Sequence, residues 1–307
     1  MFKYTLDNKR YHTLNYFFKN KFGTKVAKIP LDAGFSCPNK STGRCIYCSD
    51  GSKANIVDNN YNLIEQFNNG TKVLLNKWPD SKFIAYFQAG TNTFSSLDKI
   101  KDMIEPFLAI PYIVGIAIAT RPDSISEECL DYLNDLNKRT FLMVEIGLQS
   151  SNNNTLKFIN RGHDSKCFLE CVERLKKKNI FTVAHIINGL PYETKEDMIK
   201  TIKFVNASGI DAIKIHMLHV VKNTKLADIY EKEKFHILSK EEYIDIVCDQ
   251  LELLNPKIVI ERITGDPIKE ELIEPQWLIK KFCVLNDIDK EMVKRNIYQG
   301  DKIKELN

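Results

Sequence analysis

Short apolar runs rich in β-branched residues alternate along this chain with longer stretches whose apolar residues recur at three- and four-residue spacing. That is the pattern of strands alternating with amphipathic helices. The runs Val26–Ala33, Phe83–Gln88, Ile113–Thr120, Phe141–Gln149, Phe181–Asn188, Ala212–His219 and Ile258–Thr264 predict strands. Leu97–Leu108, Glu127–Leu136, Cys167–Lys177 and Lys195–Val205 predict the intervening helices. Ser126 before Glu127-Glu128, and Thr194 before Lys195-Glu196-Asp197, place a hydroxyl and then acids where helix starts use them. Repeated βα units imply a parallel sheet, either open and doubly wound or closed into a full or partial barrel.

The strand faces favour the barrel. Side chains alternate across a strand, so Val144, Ile146 and Leu148 oppose Glu145, Gly147 and Gln149. Lys28 and Asp32 oppose Ile29 and Leu31, Tyr86 and Gln88 oppose Phe87, and Lys214 and His216 oppose Ile213 and Ile215. A parallel strand buried on both faces is nearly all apolar; a polar face on several strands predicts a lumen that holds a polar ligand. Burying the Glu145 carboxylate without a partner costs several kcal/mol, which makes a bound ligand its expected partner.

Composition narrows the class. With 307 residues, 43% hydrophobic, 13 Gly and 10 Pro, the chain has material for a sizeable core and few breakers, so a disordered chain is excluded. The uncharged run Phe107 to Ala119 is broken by Pro111 and Gly115 and falls short of the roughly 18 residues of a membrane span. Met1-Phe2-Lys3-Tyr4 carries no apolar signal region. A cytoplasmic protein without a membrane partner is expected, organised as one domain over residues 1–307, with an N-terminal extension (1–25), a barrel core (26–220) and a C-terminal extension (221–307). The balance of 44 basic and 40 acidic residues permits RNA binding without indicating it.

The eight cysteines change the picture, because without a signal sequence they read as metal ligands or buried thiols and not as a disulfide framework. Cys37, Cys45 and Cys48 form Cys-x7-Cys-x2-Cys directly after the first strand, at its C-terminal end, where βα barrels build their sites. Three soft thiolates on one loop select an iron-sulfur cluster or zinc. A closed zinc site takes four ligands, and the nearest further donors, His12 and Cys129, are remote. Three cysteines on a four-iron cluster leave one iron open to a substrate or cofactor. Cys129, Cys167, Cys171, Cys248 and Cys283 read as buried thiols, although Cys167 and Cys171 share a helix face. His216 and His219 lie on opposite faces of their predicted strand, with His216 and Lys214 the candidates for catalytic groups in the lumen. The basic run Arg174 to Lys178 reads as a solvated helix end, with an RNA contact as the alternative.

With this loop the chain resembles the radical S-adenosylmethionine (SAM) superfamily, and Tyr47, just before the third cysteine, fits that family's cysteine loop. Tyr86-Phe87-Gln88-Ala89-Gly90-Thr91-Asn92-Thr93, Thr120-Arg121-Pro122-Asp123, Glu145-Ile146-Gly147-Leu148-Gln149-Ser150, Asn160-Arg161-Gly162-His163 and Asn188-Gly189-Leu190-Pro191 with Glu193 follow the order of its Elongator-like and coproporphyrinogen-dehydrogenase-like branches. Arg10-Tyr11 to Leu14-Asn15, Lys28 to Gly34, His216 to His219, Glu261 to Pro267 and Gln299-Gly300 are similar to the YhcC/YtqA group. Three features depart from the pattern: the loop from Cys37 to Cys45 is shorter and poorer in glycine than in many members of the group, Ser49-Asp50-Gly51-Ser52-Lys53-Ala54 stands where they have an acidic Gly-Ser-Gly-Asp-like stretch, and Gln88-Ala89-Gly90 stands in place of Gly-Gly-Glu.

The resemblance implies an α/β fold, a partial (β/α)6 TIM-like barrel of the radical SAM type with N- and C-terminal extensions. It implies a 4Fe-4S cluster on Cys37, Cys45 and Cys48, with SAM bound by Tyr47, Gln88, Ala89, Gly90, Glu145, Gln149, Arg161, Asn188, Gly189 and Leu190. In that scheme the backbone of Gln88–Gly90 receives the SAM amino group and Arg161 its carboxylate. Glu145 and Gln149 face the ribose and methionyl part, and the Asn188–Pro191 turn lines the adenine. The implied activity is generation of a 5′-deoxyadenosyl radical that alters the C5 substituent of a tRNA wobble uridine, from carboxymethylaminomethyl to aminomethyl. A cellular reductant such as flavodoxin or ferredoxin is the implied second partner. A small-molecule or porphyrin-like substrate is the alternative, and a non-catalytic iron-sulfur or zinc protein a further one.

Overall fold

The computed structural model describes residues 2–49 and 61–303. The divergent stretch after the third cysteine therefore lies outside the described residues from position 50 onwards.

All seven predicted strands form, and they line up side by side in one parallel sheet. In chain order they are β1 (Val26–Leu31), β2 (Lys82–Phe87), β3 (Ile113–Thr120), β4 (Phe141–Gln149), β5 (Phe181–Asn188), β6 (Ala212–Met217) and, after the two-residue β7 (Val220–Val221), β8 (Val259–Arg262). The sheet runs β1-β2-β3-β4-β5-β6-β8, and β7 pairs separately with β9 (Leu272–Glu274). The curled, half-barrel sheet with helices outside is the partial TIM barrel expected. The stretch assigned to the C-terminal extension contributes its seventh strand, β8, paired with β6.

The helices follow from their apolar stripes and caps. They run α1 (Leu14–Phe22), α2 (Leu63–Lys77), α3 (Leu97–Leu108), α4 (Glu127–Arg139), α5 (Asn153–Phe158), α6 (Ser165–Lys177), α7 (Lys195–Ser208), α8 (Lys225–Lys232), α9 (Lys240–Leu253) and α10 (Lys281–Lys294). Ser126 caps α4 by accepting from the Cys129 amide, and Thr194 with Asp197 forms a reciprocal capping box at α7. Ile104 and Phe107 of α3, Leu133 and Leu136 of α4, Phe168 and Leu175 of α6, and Ile202 of α7 meet the outward residues Ile118, Val144, Ile146 and Ile186 in the main core.

Inside the sheet the lumen is layered. At its N-terminal end Val26, Ile84, Ala117, Met143, Val183, Ala212 and Val259 form an apolar floor. Helix α1 plugs it: Phe18 is buried there, and Phe17, Phe22, Phe141 and Phe181 pack around it at ring distances such as 4.9 Å for Phe17–Phe181. The bottom is thus sealed with hydrocarbon, and polar chemistry is confined to the middle and the C-terminal mouth. Among the described residues no helix is long and apolar enough to cross a membrane.

Candidate active site

Above the apolar floor lies a ring of buried charge. Glu145 of β4 takes Lys28 of β1 on one oxygen and, on the other, Lys214 of β6 at 2.5 Å and the Tyr86 hydroxyl of β2 at 2.6 Å. Lys28 and Lys214 also reach Glu261 of β8, at 2.5 and 3.2 Å. Two lysines and two carboxylates balance; Lys28, Lys214 and Glu145 lie on strands where the sequence showed a polar face, and Glu261 of β8 joins them from a strand where it did not. Burial alone would raise the Glu145 carboxyl, yet Lys214 and Lys28 outweigh it and hold the group well below the usual carboxylate range. The expectation that Glu145 needs a bound ligand as its partner does not hold, because three strands, β1, β2 and β6, supply its partners from within. Lys214, a catalytic candidate, is likewise committed to this ring.

In the ring Glu261 Oε2 alone is buried without a partner; in the next layer up such atoms gather. Gln149 Oε1, Arg161 Nε, His185 Nε2 and His216 Nε2 are buried without hydrogen bonds. Buried polar atoms are nearly always paired, so this layer holds hydrogen-bonding capacity that the protein itself leaves unused. Gln149 ends β4 with a φ of 73° at an irregularity in the β4–β5 register, a strained turn that aims its side chain into the lumen. His185 and His216 pack with ring centroids 4.2 Å apart. Burial, followed by the nearby Lys214 charge, pushes His185 down to about 3. Burial, His185 and the charge of Arg262 push His216 down as well, so both rings are neutral near neutral pH. His185 escaped the sequence reading as a lone histidine in an apolar strand; its place between Val183 and Ile187 on the inward face was the available signal. His219 falls beyond the end of β6, its ring standing over Gly265, so the expected strand alternation does not apply to it.

The cysteine loop closes this layer from above. Cys37 caps the short turn Pro38–Lys40, and the Cys48 amide donates to the Cys45 carbonyl at 3.0 Å. The α5–α6 turn buttresses the loop: Ile46 N donates to Ile159 O at 3.0 Å, and Asn39 Nδ2 donates to Asn160 O at 2.6 Å and lies 3.4 Å from Cys45 Sγ. Arg161 enters from that turn, donating to Gly147 O at 2.8 Å and approaching Cys45 Sγ at 3.7 Å. Arg121 fixes the Arg161 backbone by donating to its carbonyl at 2.9 Å while forking onto Asp123 at 2.9 and 2.6 Å. Tyr47 stands beside Cys45, half-buried.

Other expected ligand contacts are distributed unevenly. Gln88 is exposed at the mouth, Ala89 is buried, and Gly90 has a φ of 74° where a β-carbon would stand 2.1 Å from Phe35 O, so only glycine lets the β1 and β2 loops touch. The Asn188 side chain points away from the lumen: it exchanges reciprocal hydrogen bonds of 2.8 Å with Gln250 of α9. Gly189 faces Leu238, and Leu190 is buried among Ile46, Ile159 and Leu226, so this turn presents backbone to the lumen side.

The donor set of the loop fits an iron-sulfur cluster. All three thiols are free of disulfides. Burial and then the charges of Cys45 and Cys37 push the Cys48 thiol up to about 11, a cost that a cationic centre beside its sulfur would offset. Among the described residues no three His, Cys, Asp or Glu side chains converge as ligands of a single metal ion. Cys129, Cys171 and Cys248 are buried thiols as expected, Cys167 is half-buried, and Cys283 is exposed, against expectation.

Comparison with known proteins agrees with this geometry. The model of the radical SAM superfamily matches residues 36–205, and that of the Radical_SAM C-terminal domain matches residues 210–294. The chain belongs to the radical SAM superfamily. It is a radical SAM enzyme, and the cofactors of the family are a 4Fe-4S cluster and SAM. It is 44% identical to the uncharacterized protein YtqA of Bacillus subtilis over 97% of this chain and 94% of that protein. A tRNA uridine(34) acetyltransferase of Methanocaldococcus infernus is 29% identical over 50% of this chain and 29% of its own length. In fold, the chain is similar to the Elp3 protein of the same archaeon, with a TM-score of 0.69 and 18% identity over 90% of this chain and 64% of that one. The radical SAM match spans the cysteine loop, Glu145 and Arg161; the charged ring's Lys214 and Glu261 lie in the C-terminal match, and Lys28 and α1 precede both.

Proposed function

We propose that this radical SAM enzyme acts in the cytoplasm on tRNA, altering the C5 substituent of the wobble uridine from carboxymethylaminomethyl to aminomethyl, with a flavodoxin- or ferredoxin-type reductant. The observation that carries the RNA reading is the similarity to the tRNA uridine(34) acetyltransferase; because it covers 29% of that protein, acetyl transfer is not carried over. Cys37, Cys45 and Cys48 hold the cluster. When bound, the cluster supplies the electron that cleaves SAM to a 5′-deoxyadenosyl radical.

The chain's own residues bind and orient. Arg161, with a buried Nε lacking a partner, offers its planar guanidinium to the SAM carboxylate. The backbone at Gln88–Gly90 receives the amino group, the Gly189–Leu190 backbone borders the adenine, and Gln149 offers its free Oε1 to the ribose or methionyl part. Glu145 serves from below, by fixing Lys28, Lys214 and Tyr86 as a rigid polar floor. His185 and His216 remain as neutral groups facing the substrate. The α1 plug shields the lumen from water at the bottom, which a radical intermediate requires.

The test is 5′-deoxyadenosine formation by anaerobically reconstituted, reduced protein with SAM, with and without tRNA carrying carboxymethylaminomethyluridine, followed by nucleoside mass spectrometry. Cleavage stimulated by that tRNA, with conversion of the wobble nucleoside, is the expected result. Slow cleavage indifferent to the tRNA would refute the RNA substrate and direct the search to small molecules.

A further inference from the structure

The C-terminal rim beside the cysteine loop carries a surface the site itself does not use. Phe158, at the end of α5, and Tyr192, in the β5–α7 turn, are 38% and 62% exposed and meet edge to face with centroids 5.1 Å apart. Tyr192 is held there at a φ of 66°, a left-handed conformation uncommon for a bulky residue. Large exposed aromatics at a strained position near an active-site mouth need a reason beyond packing.

Three lysines lie on the segments that adjoin the pair. Lys40 lies in the cysteine loop, Lys157 directly precedes Phe158, and Lys225 opens α8 with its ammonium 2.9 Å from where a β-carbon on Gly43 would stand. All three are exposed, and among the described residues none forms an ion pair. Lys225 sits at a helix N-terminus, where the dipole disfavours a cation. These segments form one surface: Asn160 donates to Thr42 O at 3.1 Å, Leu226 N donates to Ile46 O at 2.8 Å, and Ile46, Ile159, Leu190 and Leu226 share one apolar cluster beneath.

The basic run Arg174 to Lys178 behaves oppositely. Arg174 pairs with Glu127 at 2.7 Å, Lys176 with Asp211 at 2.6 Å, Lys177 with Glu173 at 2.8 Å and Lys178 with Asp131 at 3.6 Å. Its charge is answered within the protein, and that of the rim is left for a polyanion.

We infer that the rim formed by Lys40, Lys157 and Lys225 with Phe158 and Tyr192 is the RNA-docking surface, the lysines meeting phosphates and the aromatic pair stacking on an unpaired base. Single-stranded RNA is held by this combination of unpaired cations and exposed aromatic faces. The inference rests on the RNA reading above and adds where and how the strand is gripped.

The test is fluorescence anisotropy of a labelled, unmodified tRNA transcript with the reconstituted holoprotein at several salt concentrations. K40E/K157E/K225E should weaken binding and flatten the dependence of log affinity on log salt by roughly 0.7–0.9 for each phosphate that no longer meets a lysine. F158A/Y192A should weaken binding roughly five- to hundredfold with the salt slope unchanged, while Y192F restores it. K177E/K178E should bind as the wild type does, and thermal melting establishes that each variant is folded. No RNA binding by wild type at any salt would sink the RNA reading itself. Wild-type binding matched by the rim variants would overturn only this inference. So would a loss confined to K177E/K178E, or slowed reduction by flavodoxin with unchanged RNA affinity, which would assign the rim to the electron donor.

Discussion

Gly147 and Arg161 compete for one volume: a β-carbon at 147 would stand 2.4 Å from the Arg161 guanidinium. The glycine is needed for space and not for backbone conformation, since it lies outside the left-handed region. Gly147→Ala should therefore expel the guanidinium and reproduce Arg161→Ala, with SAM affinity falling about tenfold or more and iron content retained, in keeping with loss of a charge-assisted contact of about 1.5–3 kcal/mol. Anaerobic equilibrium dialysis with labelled SAM measures it. Unchanged affinity in both variants would refute the carboxylate role of Arg161.

The charged ring predicts a stability cycle. Lys214→Met leaves two carboxylates, Glu145 and Glu261, sharing Lys28 in a buried setting, and breaking such a pair costs about 3–5 kcal/mol. Glu261→Gln added to Lys214→Met restores neutrality and should recover a large part of that loss. Urea unfolding of the four proteins reads the cycle; additive losses would show that the ring is not a coupled unit.

What the sequence made legible, and what it did not, divides by range. Strands such as Ile113–Thr120 announce themselves through local β-branched runs, and the capping residues Ser126 and Thr194 fix helix starts within a few positions. The polar faces of β1, β2, β4 and β6 were readable too, because alternation is local. Their partners were not: Lys28 meets Glu145 across 117 residues and Glu261 across 233, a closure only the curled sheet brings about. The same distance hid the pairing of Asn188 with Gln250, which turns an expected ligand contact into a brace on α9. Helix α1 was hidden within a nominal extension, because its row Phe17, Phe18 and Phe22 finds its place only against Phe141 and Phe181.

The cysteines make a selective prediction. Alanine at Cys37, Cys45 or Cys48 should reduce bound iron and sulfide to a small fraction of wild type and abolish SAM cleavage. Alanine at Cys171 or Cys248, whose thiols are buried in the core, should leave the iron content unchanged and cost mainly stability. Iron and sulfide assays with absorption spectra decide this, and full iron content in Cys45→Ala would sink the cluster assignment.

Glu193 ties the β4 and β5 loops together by accepting from Ser150, and its titration gives a pH signature. Burial raises its carboxyl from the ordinary 4.5 to about 7, against the hydrogen bonds of Ser150 and Thr155, which lower it. The folded state thus holds this proton more tightly than the unfolded chain does. Its contribution is fully present below about pH 4.5 and is lost as pH rises through about 7, a swing of about 3 kcal/mol. Glu193→Gln mimics the protonated acid at every pH. It should therefore melt near wild type at pH 5 and above wild type at pH 8, the gap opening between those values. Calorimetric melting across that range checks it, and a gap that is constant with pH would show that Glu193 is already ionised without cost in the folded protein.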